Sequence, residues 1–388
     1  MKSPLLRAGV LGAALVSVLA AAGCQTPPPP PPPTPPAPPP PPPVAPPLAL
    51  SAAIVQEAAA YQAYVRQATA EVPGFADGPA IQASLRRSEA YEPKSLARDE
   101  VAYAAVIALQ EPTFVQGVRV FAVDPTQRAQ MVQRLETEPG YALALPGAQV
   151  AAAMITAKLG SDGEAISRAG YAIKMSAYAI QHQKWSVEWV PDREGRLAQA
   201  KALSAAPGTA TSEDGQAMMR AALTGQGLNL APNRSLVPPS VTAAATIGAA
   251  GAPVVAVAPS GDSLPAAPPV YSEGLRRGLA LAALAALGAA GDTNDAQVEP
   301  LLDEGSGQAC LNLAKLNLFQ CLAVAKPHYE DVFCLGQHAL METGECVSKL
   351  AGVTPVNLSP APEPKPVKPI KAKAKGKGRG HRKTRRTT

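Results

Sequence analysis

Four cysteines in the last third of the chain, Cys310, Cys321, Cys334 and Cys346, are the side chains whose type and spacing most clearly specify chemistry. Cys310 and Cys321 are 11 residues apart, about three helical turns, so they share one face of a helix. Cys334 and Cys346 are 12 apart and out of phase, unless Gly344 ends the second helix and lets Cys346 turn back. The midpoints of the pairs 310/346 and 321/334 both fall at Pro327-His328, where a helix must break. Two antiparallel helices turning there bring Cys310 opposite Cys346 and Cys321 opposite Cys334. Each such bridge contributes ~2–4 kcal/mol by restricting the unfolded chain. The competing reading is a metal site made of these thiols with His328 and His338, since Cys334 and His338 stand one turn apart. No C-x-x-C pair is present, the spacing that structural zinc sites commonly use, so disulfides are the expectation.

The pairing resembles that of twin-cysteine helical hairpins such as the coiled-coil-helix family, although the gaps here are wider than in that family. The resemblance implies a geometry and carries no function across. Elsewhere the catalytic vocabulary is thin. The histidines are His182, His328, His338 and His381. No nucleophile elbow, phosphate loop or zinc-protease helix is present, and nothing calls for a cofactor. Glu188 beside Trp189, and the pair Asp303-Glu304, lack a partner suited to acid/base work. The polar-aromatic cluster Gln181-His182-Gln183-Lys184-Trp185 stands out instead, with Trp189 one turn further on. His182, Trp185 and Trp189 are the candidate binding residues, with an envelope glycan as the ligand class, because tryptophan rings stack on sugars. The same three residues would serve equally well to fill a helix–helix junction.

The C-terminal end is strongly cationic. Residues 359–388 hold 11 Lys and Arg against a single acid, Glu363. Lys371, Lys373, Lys375, Lys377, Arg379, Arg382, Lys383, Arg385 and Arg386 make up most of that charge. No apolar side chain larger than alanine follows Ile370, so this tail cannot bury a core. It suits polyanions, bound through counterion release and without sequence preference. With the tail and the two basic residues of the leader set aside, 22 basic residues face 29 acidic ones, an acidic body with a basic end. In cytoplasm the natural polyanion is nucleic acid. For an exported chain it is peptidoglycan carboxylates, lipopolysaccharide phosphates or acidic lipids.

Export is the expectation. Lys2 and Arg7 precede an apolar segment from Ala8 to Ala22 that ends in small residues, the layout of a cleaved leader. That segment is short of the ~20 residues of a membrane-spanning helix. The leader ends Leu19-Ala20-Ala21-Ala22-Gly23-Cys24, which resembles the lipobox of bacterial lipoproteins, with Ala21 where leucine is commoner. The resemblance implies cleavage before Cys24, diacylation of its thiol and acylation of its amine. Multiple acyl chains then hold the protein on a membrane. Gln25 replaces the aspartate that commonly retains such proteins in the inner membrane, which implies the outer membrane, facing the periplasm. In that oxidising space an even set of remaining cysteines forms disulfides. Pro27 to Pro47 contains 17 prolines in 21 residues. At ~3.1 Å per residue of polyproline II this is a rod of roughly 65 Å, a spacer between lipid and body. The alternative use of such a run is as a ligand for aromatic grooves.

Ala and Leu dominate the rest, and aromatics make up only 4%. The expected fold is all-α: two helical units joined by a Pro/Ala/Gly-rich linker, with disordered Pro-rich N-terminal and basic C-terminal segments. The divisions are 1–23 for the leader, 24–50 for anchor and spacer, 51–224 for the first unit, 225–270 for the linker, 271–352 for the second unit with its cysteine hairpin, and 353–388 for the tail. In the first unit Ser51 and Ser95 read as helix caps, and Asp124-Pro125 opens a helix. Gly160 reads as a stop, and Ser161-Asp162-Gly163-Glu164 as a capping box for a helix running towards Val190 with both tryptophans near its end. The run Leu279 to Ala290 is apolar all round but only 12 residues long, so it is expected to be buried rather than membrane-spanning.

Overall fold

A helical stretch with no polar side has to be surrounded, and two helices of this chain contain one. The computed structural model describes residues 44–206, 211–224 and 270–358; among these every regular element is a helix and no strand forms. In chain order they are α1 (Ala52–Thr69), α2 (Gly78–Ser88), α3 (Pro93–Ala108), α4 (Pro112–Arg119), α5 (Pro125–Thr137), α6 (Ala148–Ile180), α7 (Arg193–Leu203), α8 (Glu213–Leu223), α9 (Glu273–Ala286), α10 (Asp295–Leu302), α11 (Gly305–Val324), α12 (His328–Cys334) and α13 (Glu342–Leu350). A π-helical stretch, Leu335–Met341, joins α12 to α13 without a break.

The enclosed stretches are Val101 to Ala108 of α3 and Leu279 to Ala286 of α9. They lie against each other, with α1, α6 and α11 packed round α3. Contact is close because Gly278 offers no side chain: a Cβ there would stand 2.6 Å from the Ala104 methyl. Glycine within a helix costs about 1 kcal/mol, whereas each enclosed leucine contributes roughly 1.5–3 kcal/mol, so the close approach wins. No described helix is long and apolar enough to cross a membrane. The stretches on either side of the 225–270 segment share one hydrophobic core, so that segment separates them in sequence and not in packing. Residues 225–269 themselves lie outside the described residues, as do 1–43 and 359–388.

Several local signals act as written. Ser51 caps α1 through Ile54 N, and Asp124 caps α5 by accepting from the amides of Thr126 and Gln127. Others do not. Glu92, not Ser95, stands at the N-cap of α3, and Pro93 takes the first helical position. The expected stop at Gly160 and restart at Ser161 do not occur; α6 runs unbroken over 33 residues. Its glycines serve a crossing. A Cβ on Gly163 would stand 2.6 Å from Gly344 O, and one on Gly170 2.6 Å from Gly336 O; the reciprocal distances are 2.5 and 2.6 Å. Backbone therefore lies directly on backbone, antiparallel, with Ser167 Oγ donating to Met341 O at 3.2 Å between the two contacts. For the same reason Gly344 does not end the second cysteine helix, which continues to Leu350.

Gly336 is the position where this crossing is least forgiving, since an added methyl would meet the backbone of Lys174 and of Gly170. Gly336→Ala should lose about 1–3 kcal/mol in chemical denaturation through overpacking. Gly305→Ala, where nothing lies within 4 Å of the added carbon, should stay within about 0.5 kcal/mol of the parent. Equal losses at both positions would contradict the crossing.

Candidate functional site

Cys310 bridges Cys346 and Cys321 bridges Cys334, with Cα–Cα separations of 5.6 and 5.7 Å. Both lie inside the range that unstrained disulfides use. The phase problem between Cys334 and Cys346 is solved by the π stretch. Twelve α-helical residues would leave the two about 120° apart at ~100° per residue. Each i→i+5 turn holds more residues than an α turn, and the stretch brings Cys346 back over the face of Cys334. Among the described residues no group of three or more His, Cys, Asp or Glu is placed to hold a metal ion.

At the tip of this hairpin lies an open cavity of about 360 Å³. One wall is the last turn of α6, with Ala177, Tyr178 and Gln181; the other is formed by Val324, Tyr329, Phe333 and the Cys321–Cys334 bridge. Tyr178 meets Phe333 edge to face, with centroids 6.4 Å apart. Half of Tyr178 and 72% of Val324 remain exposed, so the lip of the cavity is apolar. Gln181 and Glu330 supply its polar edge, and Glu330 also accepts from the Lys326 amide at 2.8 Å.

The segment expected to bind ligand frames this cavity rather than lining it. The α6 helix ends at Ile180, ten residues before Val190, because Ser186 Oγ turns back onto the Ile180 and Gln183 carbonyls. Residues 186–190 are then laced to the hairpin turn: Val190 N to Lys326 O at 2.8 Å, His328 N to Glu188 O and Tyr329 N to Ser186 O, both at 3.1 Å. Trp185 is half-buried, donates to Gln183 Oε1 and packs 6.3 Å from the His328 ring. Trp189 is 68% exposed, with Lys326 Nζ 5.4 Å from its ring, and His182 is exposed. The two tryptophans thus have different duties, one as filling and one as surface. His338 Nδ1 is hydrogen-bonded to Glu342 Oε1 at 2.8 Å, the carboxylate accepting, and its ring stands edge-on to Phe333. Cys24 and the tail cations Lys371, Lys373, Lys375, Lys377, Arg379, Arg382, Lys383, Arg385 and Arg386 lie outside the described residues.

Buried charge holds the hairpin in place. Arg196 and Asp331 form an enclosed ion pair, and Gln82 donates to the other Asp331 oxygen at 2.8 Å. Arg196 and Arg193 of α7 also donate to carbonyls at the end of α11, including Arg193 Nε to Ala325 O at 2.9 Å. Lys315 Nζ donates to Glu89 O at 2.6 Å and sits 3.6 Å over the Tyr91 ring. Burial pushes the Lys315 ammonium down and the Glu89 carboxyl up. Deeper still, Glu100 of α3 is fully enclosed and neither carboxylate oxygen has a partner. Burial, reinforced by Asp162 and Glu304, pushes its carboxyl well above the usual range.

None of these internal groups was singled out by sequence, nor were Tyr178, Tyr329 and Phe333. The one local signal was Tyr329-x-x-x-Phe333, an aromatic pair one turn apart just after the Pro327 break. No protein-family model, curated protein or solved structure matches the chain.

The raised carboxyls make stability depend on pH. Glu100 keeps its proton in the folded state, whereas in the unfolded chain it loses it near the ordinary carboxyl value of 4.5. Its contribution is therefore complete below that value and is lost as pH rises towards the folded one. Burial gives Glu57, Glu89, Asp99, Asp162, Asp331 and Glu345 the same sign; Lys315, which burial pushes down to about 7, opposes it above that pH, and Asp303 and Glu342, held low by their partners, oppose it in acid. Melting temperature should fall between pH 5 and pH 8. Glu100→Gln should melt higher than the parent at pH 8, with a smaller difference at pH 5. An unchanged pH slope in that variant would show that Glu100 ionises freely.

Proposed function

We propose that this chain is a lipid-anchored protein of the bacterial cell envelope that works by binding and positioning. In this reading Cys24 carries the acyl chains, the proline run sets the distance from the membrane, and the helical body presents its aromatic cavity. The cationic tail makes a non-specific contact with an anionic envelope polymer. The observation that carries the proposal is the leader ending in Leu19-Ala20-Ala21-Ala22-Gly23-Cys24. The pairing of the other four cysteines into two bridges supports it, because disulfides persist in oxidising compartments and are rare in cytosol. Outer-membrane attachment, facing the periplasm, follows from Gln25 by the same resemblance.

For the cavity we propose an envelope glycan. Rings at Tyr178, Tyr329 and Phe333 offer faces and edges to a sugar, and Gln181 and Glu330 offer hydrogen bonds at its edge. Trp189, exposed at the neighbouring turn, extends the aromatic surface. A role as an accessory factor or enzyme of cell-wall metabolism would use the same cavity. The displaced carboxyls Glu100 and Asp162 are enclosed in the interior and do not line it. A nucleic-acid role would rest on the tail alone.

Cells fed labelled palmitate should incorporate it into the parent protein and not into Cys24→Ala, and the variant should shift from the membrane to the soluble fraction. Label retained by Cys24→Ala would remove the anchor. Deleting residues 360–388 should abolish most co-sedimentation with purified cell wall at low salt, and 0.5 M salt should do the same to the parent, because screening weakens such contacts. Binding that ignores both changes would exclude the tail from the contact.

A further inference from the structure

The carboxylate at the lip of the aromatic cavity has no cation to meet. Glu330 accepts a hydrogen bond from the Lys326 amide at 2.8 Å and joins no ion pair among the described residues. Two lysines stand nearby, but Lys174 is 5.6 Å from the Phe333 ring, Lys326 is 5.4 Å from the Trp189 ring, and neither lines the cavity. The walls are mainly rings. Tyr329 and Phe333 lie one turn apart on α12, and Tyr178 faces them from α6. The Tyr178 and Tyr329 hydroxyls have no partner among the described residues, and Gln181 adds an amide at the edge. The site therefore offers flat apolar faces, hydrogen-bond donors and one negative charge. A proline-rich strand carrying lysine has the matching set: apolar rings, carbonyls with few N–H groups, and a cation.

We propose that Pro366-Val367-Lys368-Pro369-Ile370-Lys371 of the same chain docks in this cavity as a polyproline II strand. That helix has three residues per turn, so Pro366 and Pro369 share one edge and Lys368 and Lys371 share another. The first edge meets the rings of Tyr178, Tyr329 and Phe333, and the second brings a lysine to Glu330. The longer proline run, Pro27 to Pro47, contains no charged residue and has nothing to offer that carboxylate.

Reach sets a further condition. The chain leaves the body beside the start of α11, where Leu350 lies against Gly307 and Val353 N donates to Ser348 O at 2.8 Å. The cavity is at the other end of that helix, alongside Val324. The 20 residues of α11 separate the two by ~30 Å. From Val353 the chain spans roughly 40 Å to Pro366 but only roughly 22 Å to Pro360, at ~3.1 Å per residue. The segment from Pro366 onward is thus long enough to arrive, and so short a tether holds it near the cavity at ~mM effective concentration. The proposal rests on the cavity's being a ligand site and names what regulates it. A glycan must displace the segment, and an anionic polymer that takes up the cations from Lys373 to Arg386 helps to draw it out.

The test uses the full chain with the photo-crosslinker p-benzoylphenylalanine in place of Tyr178, and separately in place of Val324, which is 72% exposed. After illumination, peptide mass mapping should find adducts with residues 364–371 of the same chain, in a yield that dilution does not change. The pair Pro366→Ala, Pro369→Ala should lower that yield severalfold with the melting temperature unchanged. Glu330→Lys should do the same, and adding Lys368→Glu and Lys371→Glu should restore it. No tail adducts at either position, adducts with Pro27 to Pro47, adducts only between isotopically distinct copies, or a yield indifferent to the proline pair would overturn the proposal. Soluble peptidoglycan fragments separate it from the glycan reading. Tail adducts with no fragment bound by parent or proline variant would keep the docking and remove the glycan. Fragments bound equally by both, without tail adducts, would keep the glycan and remove the docking.

Discussion

Backbone lying directly on backbone, where α6 crosses the π stretch and α13, is the constraint from which most of this structure follows. Gly163 against Gly344 and Gly170 against Gly336 leave no room for a single methyl group. The crossing fixes the axial position of the second cysteine helix relative to α6. That position places Phe333 across from Tyr178 and leaves a cavity between them. The disulfides then tie α11 to the same helix, and the α7 arginines hold the end of α11. Cavity, bridges and turn are thus parts of one chain of contacts. Close packing through small side chains also explains how a body with so few aromatics forms a continuous core.

Within that core the polar groups fall into two sorts. Arg196 with Asp331, and Lys315 with the Glu89 carbonyl, are charges or dipoles matched to partners, and they fasten helices that are distant in sequence. Glu100 has no such match. An enclosed carboxyl without a partner avoids the large penalty of a buried charge by keeping its proton. The centre of the bundle is therefore the part whose chemistry departs furthest from that of an exposed residue, although it is remote from the cavity.

How far the sequence revealed this depends on whether a residue's reason is local. Asp124 and Ser51 cap helices through amides two or three residues away, and both were legible. The cysteine pairing was legible too, because the two pairs have nearly the same midpoint and Pro327 marks the turn there. The phase of Cys346 is not, since no residue type announces a π stretch, and the break that Gly344 suggests does not occur. Gly160 and the Ser161-Asp162-Gly163-Glu164 box mislead too: in place of a stop and a restart, Gly163 lets a second helix lie against α6, which is not legible until its partner Gly344, about 180 residues away, is known. The 225–270 segment reads as a boundary between bodies, yet the apolar-all-round run from Leu279 already implies an enclosing partner, and α3 is that partner. Tyr178 and Phe333 were invisible as a pair because only the crossing unites them.

The way the chain enters its body has a mechanical side. Pro46 and Pro47 rest against Gly288, Ala49 N donates to Ala285 O at 3.1 Å, and Ser51 N donates to Ala290 O at 2.8 Å. These contacts grip the end of α9, whose stretch from Leu279 to Ala286 is fully buried, rather than a surface loop. A pull on the N-terminal side would be delivered first to the centre of the bundle, which is the region slowest to fray. The body would move as a unit under tension before any of its outer helices peeled away.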